Sequence, residues 1–408
     1  MSMEAPASPI PAHIPPELVW DHDLDAFCEE LDDPFLAGAR MLDGPPIVWG
    51  TSVFFGHPAW IPTRQALIQE IFLRPEDFSS RRNPVAMAMM GGDGWRMIPV
   101  ELDPPEHGKF RRILQGYFAP KSMQAMEEMV QETCDTLIAR FADKNGCEFI
   151  DDFAAGLPNM VFLKMMGMPV EMLDRFLGWE HGLLRSPDEA KRLEAAQSIM
   201  GYVMGFIAEQ KPAPTTELMR IILQAEIDGE PISEIDILGT VFLLYVAGLD
   251  TVYSSLGWIF RHLAHDPQLQ ERLRANPQEI PQAVEEFERA YAVARPTRMA
   301  TRDFDFHGAP IRKGDLVVLP TNLAGRDPAV YENPHTVDID RKARYITFAT
   351  GPHTCLGVHL AKREIRMAIE AFLTRFRNIR IPAGETYEYH AGGGFGVDRL
   401  PREWDRVE

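Results

Sequence analysis

The chain has 408 residues, 45% of them hydrophobic and 25% charged, ordinary globular proportions that exclude a mainly disordered, collagen-like or coiled-coil chain. An excess of 60 acidic over 41 basic residues gives a formal net charge of −19, which excludes a strong general affinity for nucleic acid or anionic membrane and confines any basic docking face to a local patch. The four cysteines, Cys28, Cys134, Cys147 and Cys355, show no CxxC or paired spacing, so neither a disulfide framework nor a cysteine-rich zinc site is expected and reduced cytosolic thiols are the simpler reading.

The first twenty residues carry five prolines, no basic start and no apolar run; no secretory signal is expected there. Residues 1–45 read as an irregular Pro-rich arm packed on the rest, with one helical stretch near Asp25–Leu36. Residues 46–62, PIVWGTSVFFGHPAWIP, are β-branched and aromatic around a Gly-His-Pro break and predict a hairpin. From 63 to 292 apolar residues recur every three or four positions and prolines mark the joints, so helices are expected throughout. Short strands are expected again over 296–319, notably Asp303–His307 and Leu316–Leu319. A last helix is predicted from Leu356 to about Phe376, then turns and short strands around Gly392-Gly393-Gly394. No repeat or flexible linker interrupts the chain. Strand-forming pieces lie at both ends and should pair, giving one mainly α domain with a small sheet over 1–408.

Residues 233–266 predict one long helix, with Ser233 as N-cap, Asp236 at the third position and Pro267 beyond the end. It would run roughly 50 Å. Between Ile237 and Phe260 the only charge is Asp250. The stretch is long enough to span a bilayer. A mid-span Asp costs about 3 kcal/mol in lipid, and Gly239, Gly248, Gly257, Ser254 and Ser255 interrupt the apolar run, so the core helix of a large protein is the favoured reading. Within it, Gly248 and Thr251 are three apart and share a face. The missing side chain would open space, and the Thr251 hydroxyl can bond back to the Ala247 carbonyl and bend the helix. The expectation is a hydroxyl-lined notch beside a carboxylate able to pass protons; a buried small-residue contact is the plainer alternative.

Residues 348–357 read Phe348-Ala349-Thr350-Gly351-Pro352-His353-Thr354-Cys355-Leu356-Gly357, directly before the last predicted helix. Unpaired N–H groups at that helix start favour an anion, here the Cys355 thiolate. Gly351 and Gly357 would let backbone approach a flat ligand. Such a thiolate is a candidate haem-iron ligand. A lone cysteine at a turn would more simply be inert, but the F-x-x-G-x-H-x-C-x-G string should arise by chance on the order of once in 10⁵ chains of this length.

This string resembles the haem-binding signature of the cytochrome P-450 family, the haem-thiolate monooxygenases. Ala247–Thr251 is similar to that family's oxygen-activation motif, and Glu286-Phe287-Glu288-Arg289 matches its E-x-x-R pair. Gly248-Leu249-Asp250-Thr251-Val252, Asp103-Pro104-Pro105-Glu106 and His359-Leu360-Ala361 resemble the soluble bacterial camphor-hydroxylase branch, and the likeness runs over nearly the whole chain. It departs at Ala349, where the family usually has Gly; that should tighten the loop without removing the ligand.

The resemblance implies a mainly α P-450 fold with small β-sheets and a long central helix over haem b. It implies Cys355 as iron ligand, Gly248, Asp250 and Thr251 as the oxygen-activating set, and His107, Arg111, Arg298 and His353 at the haem propionates. Paired donors suit Arg to a carboxylate, although His107 and Arg111, four apart on a helix, could also be a solvated basic face. It implies a buried Glu286–Arg289 pair with Arg341 as third partner. Substrate contacts are expected from Met87, Trp95, Met97, Leu243, Val246, Val293 and Phe395. Trp95 stands where the camphor enzyme has a Tyr that donates to a ketone, and an indole N–H can also donate.

The implied reaction is hydroxylation of a small apolar substrate, a terpenoid or norisoprenoid and possibly a ketone, by dioxygen in the cytoplasm, with no nucleic-acid or membrane partner. No GxGxxG follows a strand, so electrons must arrive from outside, as the resemblance implies from a [2Fe-2S] ferredoxin with an NADH-dependent ferredoxin reductase. Lys109, Arg111, Arg112, Lys342, Arg344, Lys362, Arg363 and Arg366 on the Cys355 side would attract such an acidic partner; for any single one of them a solvated surface charge is an equal reading. A haem-thiolate peroxygenase or isomerase is an alternative, against which Asp250-Thr251 argues. A non-catalytic haem sensor is another, against which the lack of any signalling-module motif argues.

Overall fold

The computed structural model describes residues 10–406, apart from 90, 91, 93, 187, 343 and 393. Strands β1 (Val19–Asp23), β2 (Ile47–Phe54), β3 (His57–Pro62), β4 (Phe78–Ser79), β5 (Thr297–Ala300) and β6 (Leu316–Val318) form a six-stranded sheet in the order β1-β2-β3-β6-β5-β4. The predicted hairpin forms because Phe55 (φ 49°) and Gly56 (φ 78°) take the left-handed backbone a tight turn needs. Trp49 lies opposite Trp60, ring centroids 5.3 Å apart and edge to face. The strands near the N-terminus thus pair with those over 296–319, as expected.

Three expectations are corrected. The Pro-rich arm is not wholly irregular, because β1 pairs in parallel with β2. The single helical stretch near Asp25–Leu36 is two helices, Leu24–Cys28 and Pro34–Ala39: Asp33 accepts from the N–H groups of Phe35 and Leu36, and Pro34 opens the second helix. The final strands stay out of the main sheet. Phe376–Arg380 and Pro401–Arg406 pair with each other, and Pro401–Arg406 also pairs with Gly146–Glu148, while Glu388–His390 and Gly396–Arg399 make a separate hairpin.

Five helices frame the site: α1 (Glu106–Gln115), α2 (Gly156–Met166), α3 (Glu234–His265), α4 (Ile280–Ala290) and α5 (Val358–Arg375). The Ser233 hydroxyl accepts from the Asp236 N–H at the start of α3 and donates to the Asp236 carboxylate at 2.6 Å. This helix is long and apolar enough to cross a membrane, and 47% of its most apolar window is buried in the protein. Val241, Phe242, Leu256, Trp258, Phe260 and Leu263 on it are fully enclosed. That suits a core helix, whose apolar burial contributes about 25 cal/mol per Å². At Gly239 a side chain would collide with the Arg96 carbonyl, 2.0 Å from an added Cβ. The bare helix face lets the Ile98 N–H reach the Gly239 carbonyl at 3.2 Å, which brings the loop carrying Met97 against α3.

Candidate active site

Cys355 precedes α5 and is tied down by its own N–H, which donates to the Phe348 carbonyl at 2.8 Å. The N–H groups of Gly357 and Val358 donate to its sulfur. The side chain is exposed to the open cavity, yet desolvation by the protein packed around it pushes the free thiol upward, outweighing those donors and Arg111, and the neighbouring Glu288 adds to the rise. The helix start alone therefore does not hold a thiolate; a bound metal would, since coordination deprotonates a thiol outright. Gly351 has φ 72°. An added Cβ there would lie 2.9 Å from Leu73 Cδ2 and 3.2 Å from the Phe72 carbonyl, so its close approach is to that chain segment. Ala349 has φ 58°, a left-handed conformation that costs a non-glycine residue about 1 kcal/mol. That strain is the local consequence of Ala in place of Gly.

Beside Cys355 lies a cavity of about 670 Å³, lined by the cysteine loop and by Ala247, Gly248, Asp250 and Thr251 of α3. The Thr251 hydroxyl donates to the Ala247 carbonyl at 3.4 Å, the expected back-bond. At Gly248 an added Cβ would meet the Phe162 ring at 3.2 Å, so much of the expected open notch is taken by an aromatic from α2. Met97, Leu243, Val246, Val293 and Phe395 line the cavity, but Met87 and Trp95 do not. The Trp95 ring packs edge-on against Phe242 at 4.7 Å, with the Arg82 guanidinium 4.5 Å from its centroid. Arg82 is fixed by two 2.7 Å bonds to Glu101. Trp95 therefore belongs to a buried cation–aromatic–carboxylate stack. The sequence reading missed Phe162, Met165, Phe118 and Arg295 as wall residues; the uniformly apolar pattern of α2 offered no signal that would single out its two.

His107, Arg111 and His353 also line the cavity, and Arg298 is buried. The His107 and His353 rings lie 4.1 Å apart, and His353 Nε2 is 3.0 Å from the Ser80 hydroxyl. Burial first, and then Arg298 and its other basic neighbours, depress His353 to about 3. Burial and then Arg111 depress His107 to about 4, with Asp103 opposing. Burial pulls Arg298 down to about 10. Asp103 is already engaged, accepting from the Ser79 hydroxyl at 2.5 Å and the Ser80 N–H at 2.8 Å. Two guanidiniums, Arg111 in the cavity wall and buried Arg298, beside two imidazoles kept neutral yet able to donate, suit an anionic ligand. With a sulfur and apolar walls beside them, these residues fit haem: carboxylates for the basic set, iron for the sulfur, carbon for the porphyrin.

Glu286 and Arg289 form a buried bidentate pair at 2.8 and 2.7 Å, and Arg341 Nε donates to Glu286 at 3.2 Å. On the surface, the expected basic face is partly neutralised. Lys109 pairs with Asp228, Lys362 with Glu285 at 2.7 Å, and Arg363 and Arg366 with Glu127 at 3.2 and 2.9 Å. Arg111 turns into the cavity. Arg112, Lys342 and Arg344 have no carboxylate partner among the described residues.

Comparison with known proteins places this arrangement. Residues 182–401 match the family model described as cytochrome P-450. The chain is 36% identical over 405 residues to a probable cytochrome P-450 127A1 of Sinorhizobium fredii, covering 97% of each chain. Its fold is similar to the crystal structure of cytochrome P-450 CYP101C1, with a TM-score of 0.87 and 30% identity over 97% of this chain and 100% of that one. It is also similar to CYP101J2, with a TM-score of 0.86 and 29% identity over 98% and 100%. The chain belongs to the cytochrome P-450 family. It is accordingly a haem b monooxygenase with a mainly α fold, and its reaction requires a redox partner, a substrate and dioxygen.

Proposed function

We propose that the chain, as a single cytoplasmic domain, hydroxylates a small, mostly apolar terpenoid or norisoprenoid substrate with dioxygen and electrons from a [2Fe-2S] ferredoxin and its NADH-dependent reductase. The observation that carries this reading is the Cys355 sulfur, held by two N–H donors at the start of α5 in the wall of the cavity that Thr251 also lines. Haem bound there supplies oxygen activation, which a thiolate ligand promotes by favouring O–O cleavage.

The chain's own residues do the rest. Cys355 holds the iron. His107, Arg111, Arg298 and His353 would bind the propionates, the guanidiniums as cations and the neutral imidazoles as N–H donors. Thr251, whose 3.4 Å back-bond is long, re-aims its hydroxyl into the cavity, and Asp250 relays protons to it. Gly248 keeps the helix wall free of a side chain beside Phe162. Met97, Leu243, Val246, Val293 and Phe395 exclude water and hold the substrate. One 670 Å³ space must take both porphyrin and substrate, which favours a small substrate. Arg112, Lys342 and Arg344 offer the charge an acidic ferredoxin would meet.

The test is the spectrum of the reduced protein under carbon monoxide. The red-shifted thiolate band is expected, and Cys355→Ser should abolish it. A band at the position usual for neutral-ligand haem proteins, or an unaltered spectrum in the Ser variant, would refute the ligand assignment. Product formation coupled to NADH consumption, with ferredoxin and reductase present, tests the partner.

A further inference from the structure

The residues that would hold the haem carboxylates come from three segments far apart in the chain: His107 and Arg111 from α1, Arg298 from β5 and His353 from the cysteine loop. The Asp103-Pro104-Pro105-Glu106 motif stands where these segments meet. The Asp103 carbonyl accepts from the His107 N–H at 3.0 Å, in the first turn of α1. The Asp103 carboxylate accepts from the Ser79 hydroxyl at 2.5 Å and from the Ser80 N–H at 2.8 Å. The Ser79 hydroxyl in turn accepts from the Arg81 N–H at 3.0 Å. Ser79 lies in β4 opposite Met299 of β5, the residue after Arg298. Ser80 follows directly, and its hydroxyl is 3.0 Å from His353 Nε2. One carboxylate therefore fixes the short segment that joins α1, β5 and the cysteine loop. His353 lines the cavity, and its Nε2 is committed to Ser80. Nδ1 makes no hydrogen bond among the described residues and is not sealed off. The His107 ring, 4.1 Å away between centroids, flanks the same imidazole.

We propose that Ser80, held by Asp103, is a positioning residue for haem: its hydroxyl fixes the His353 ring so that Nδ1 presents an N–H to a propionate. The inference rests on the reading of His353 as a propionate ligand and adds the residues that set its geometry. A partner on one imidazole nitrogen decides what the other can do. A serine hydroxyl can donate or accept. A carboxylate at Nδ1 favours the arrangement in which Ser80 donates to Nε2 and Nδ1 carries the proton. Neither Ser80 nor Asp103 touches the ligand in this scheme; both act through His353, as supporting hydrogen bonds do around a preorganised site.

The experiment compares the haem-loaded wild type with Ser80→Ala, Ser80→Thr, Asp103→Asn, His353→Ala and the double change Ser80→Ala with His353→Ala. Two quantities are read: the rate of haem loss to excess apomyoglobin, and the propionate bending band in the resonance Raman spectrum. Ser80→Ala removes one hydroxyl and adds no bulk, so haem loss should rise about fivefold, the worth of one hydrogen bond, and the propionate band should shift. Ser80→Thr restores the hydroxyl and should return both readouts to wild-type values. Asp103→Asn should move both in the direction of Ser80→Ala, because it leaves one acceptor oxygen where the carboxylate offers two. In the His353→Ala background, Ser80→Ala should change neither readout further. Wild-type haem loss and an unmoved band in Ser80→Ala overturn the proposal. So does an equal effect of Ser80→Ala with and without His353, which would mark the hydroxyl as a structural contact only, and so does failure of Ser80→Thr to restore the readouts. An unaltered Asp103→Asn protein overturns the part given to Asp103. Failure of the underlying reading looks different: His353→Ala alone would then leave haem loss and the propionate band unchanged, and the proposal would fall with it.

Discussion

Removing the Glu286 carboxylate tests how the cysteine loop is supported. Glu286 accepts two bonds from Arg289, one from the Asp338 N–H at 2.8 Å and one from Arg341 at 3.2 Å. Arg289 is 0% exposed, and its other donors go to the carbonyls of Gly325, Pro334 and Thr336. Glu286→Ala therefore strands a buried guanidinium among neutral acceptors, a change that costs about 3–5 kcal/mol, out of the roughly 5–15 kcal/mol that holds a typical domain folded. Arg341→Ala leaves the inner pair intact. Its remaining bonds are to carbonyls of Glu332, Asn333 and Thr336, so about 1–2 kcal/mol is expected. Urea unfolding of each variant, with and without haem, measures both. Because the network joins α4 to the segment that enters the cysteine loop, Glu286→Ala should also lower haem content. A loss below about 1 kcal/mol for Glu286→Ala, or equal losses for the two variants, would refute the assignment of the carboxylate as the network's centre.

Thr251→Ala should leave unfolding nearly unchanged, since only a 3.4 Å back-bond is lost, while product per electron falls and peroxide rises; unchanged coupling would remove Thr251 from proton delivery. Ala349→Gly should relieve the left-handed strain at φ 58°, partly offset by a more flexible unfolded chain, for a net gain of at most about 0.6 kcal/mol in urea unfolding; a loss would show that the methyl's packing outweighs its backbone. In the haem-free protein, His107 and His353 are held neutral, to about 4 and about 3. Below about pH 6.5 the unfolded chain takes up protons that these two imidazoles refuse, so their contribution to stability falls as pH falls, by on the order of 3 kcal/mol from His107 by pH 4, while buried Glu288 and Glu364, both raised to about 8, contribute in the opposite sense. Propionate binding should remove the contribution of His107 and His353 and so change the pH dependence relative to the haem-free protein; equal pH dependences with and without haem would place the propionates elsewhere.

Features set by local chemistry were legible in the sequence. The 233–266 helix appears as Glu234–His265 because its signals, a capping Ser233, an unbroken apolar run and a following proline, act within a turn or two. The Phe55-Gly56 turn fixed the hairpin in the same way. The Glu286–Arg289 spacing is a helix-face property, and Arg341 reaches that pair as the resemblance implied. Features set by long-range packing were not legible. Trp95 was placed by position against a relative, yet the indole goes where Arg82, Glu101 and Phe242 hold it, and nothing near residue 95 encodes that choice. Gly248 did predict missing bulk, but which neighbour fills the space depends on Phe162, some eighty residues earlier in the chain.

Arg295 shows the same limit from the other side. In the sequence it is one of several arginines after α4, and a solvated charge is the default for any of them. Its burial depends on two distant segments: Asp25 from the N-terminal arm, and Ala391 with the ring of Phe395 from the turn of the last hairpin. None of these contacts follows from periodicity, and each is needed to hold a guanidinium in an apolar wall. The Pro-rich arm read as packed on the rest is thereby part of the interior's electrostatics, because Asp25 neutralises a cation that the protein would otherwise have to bury alone.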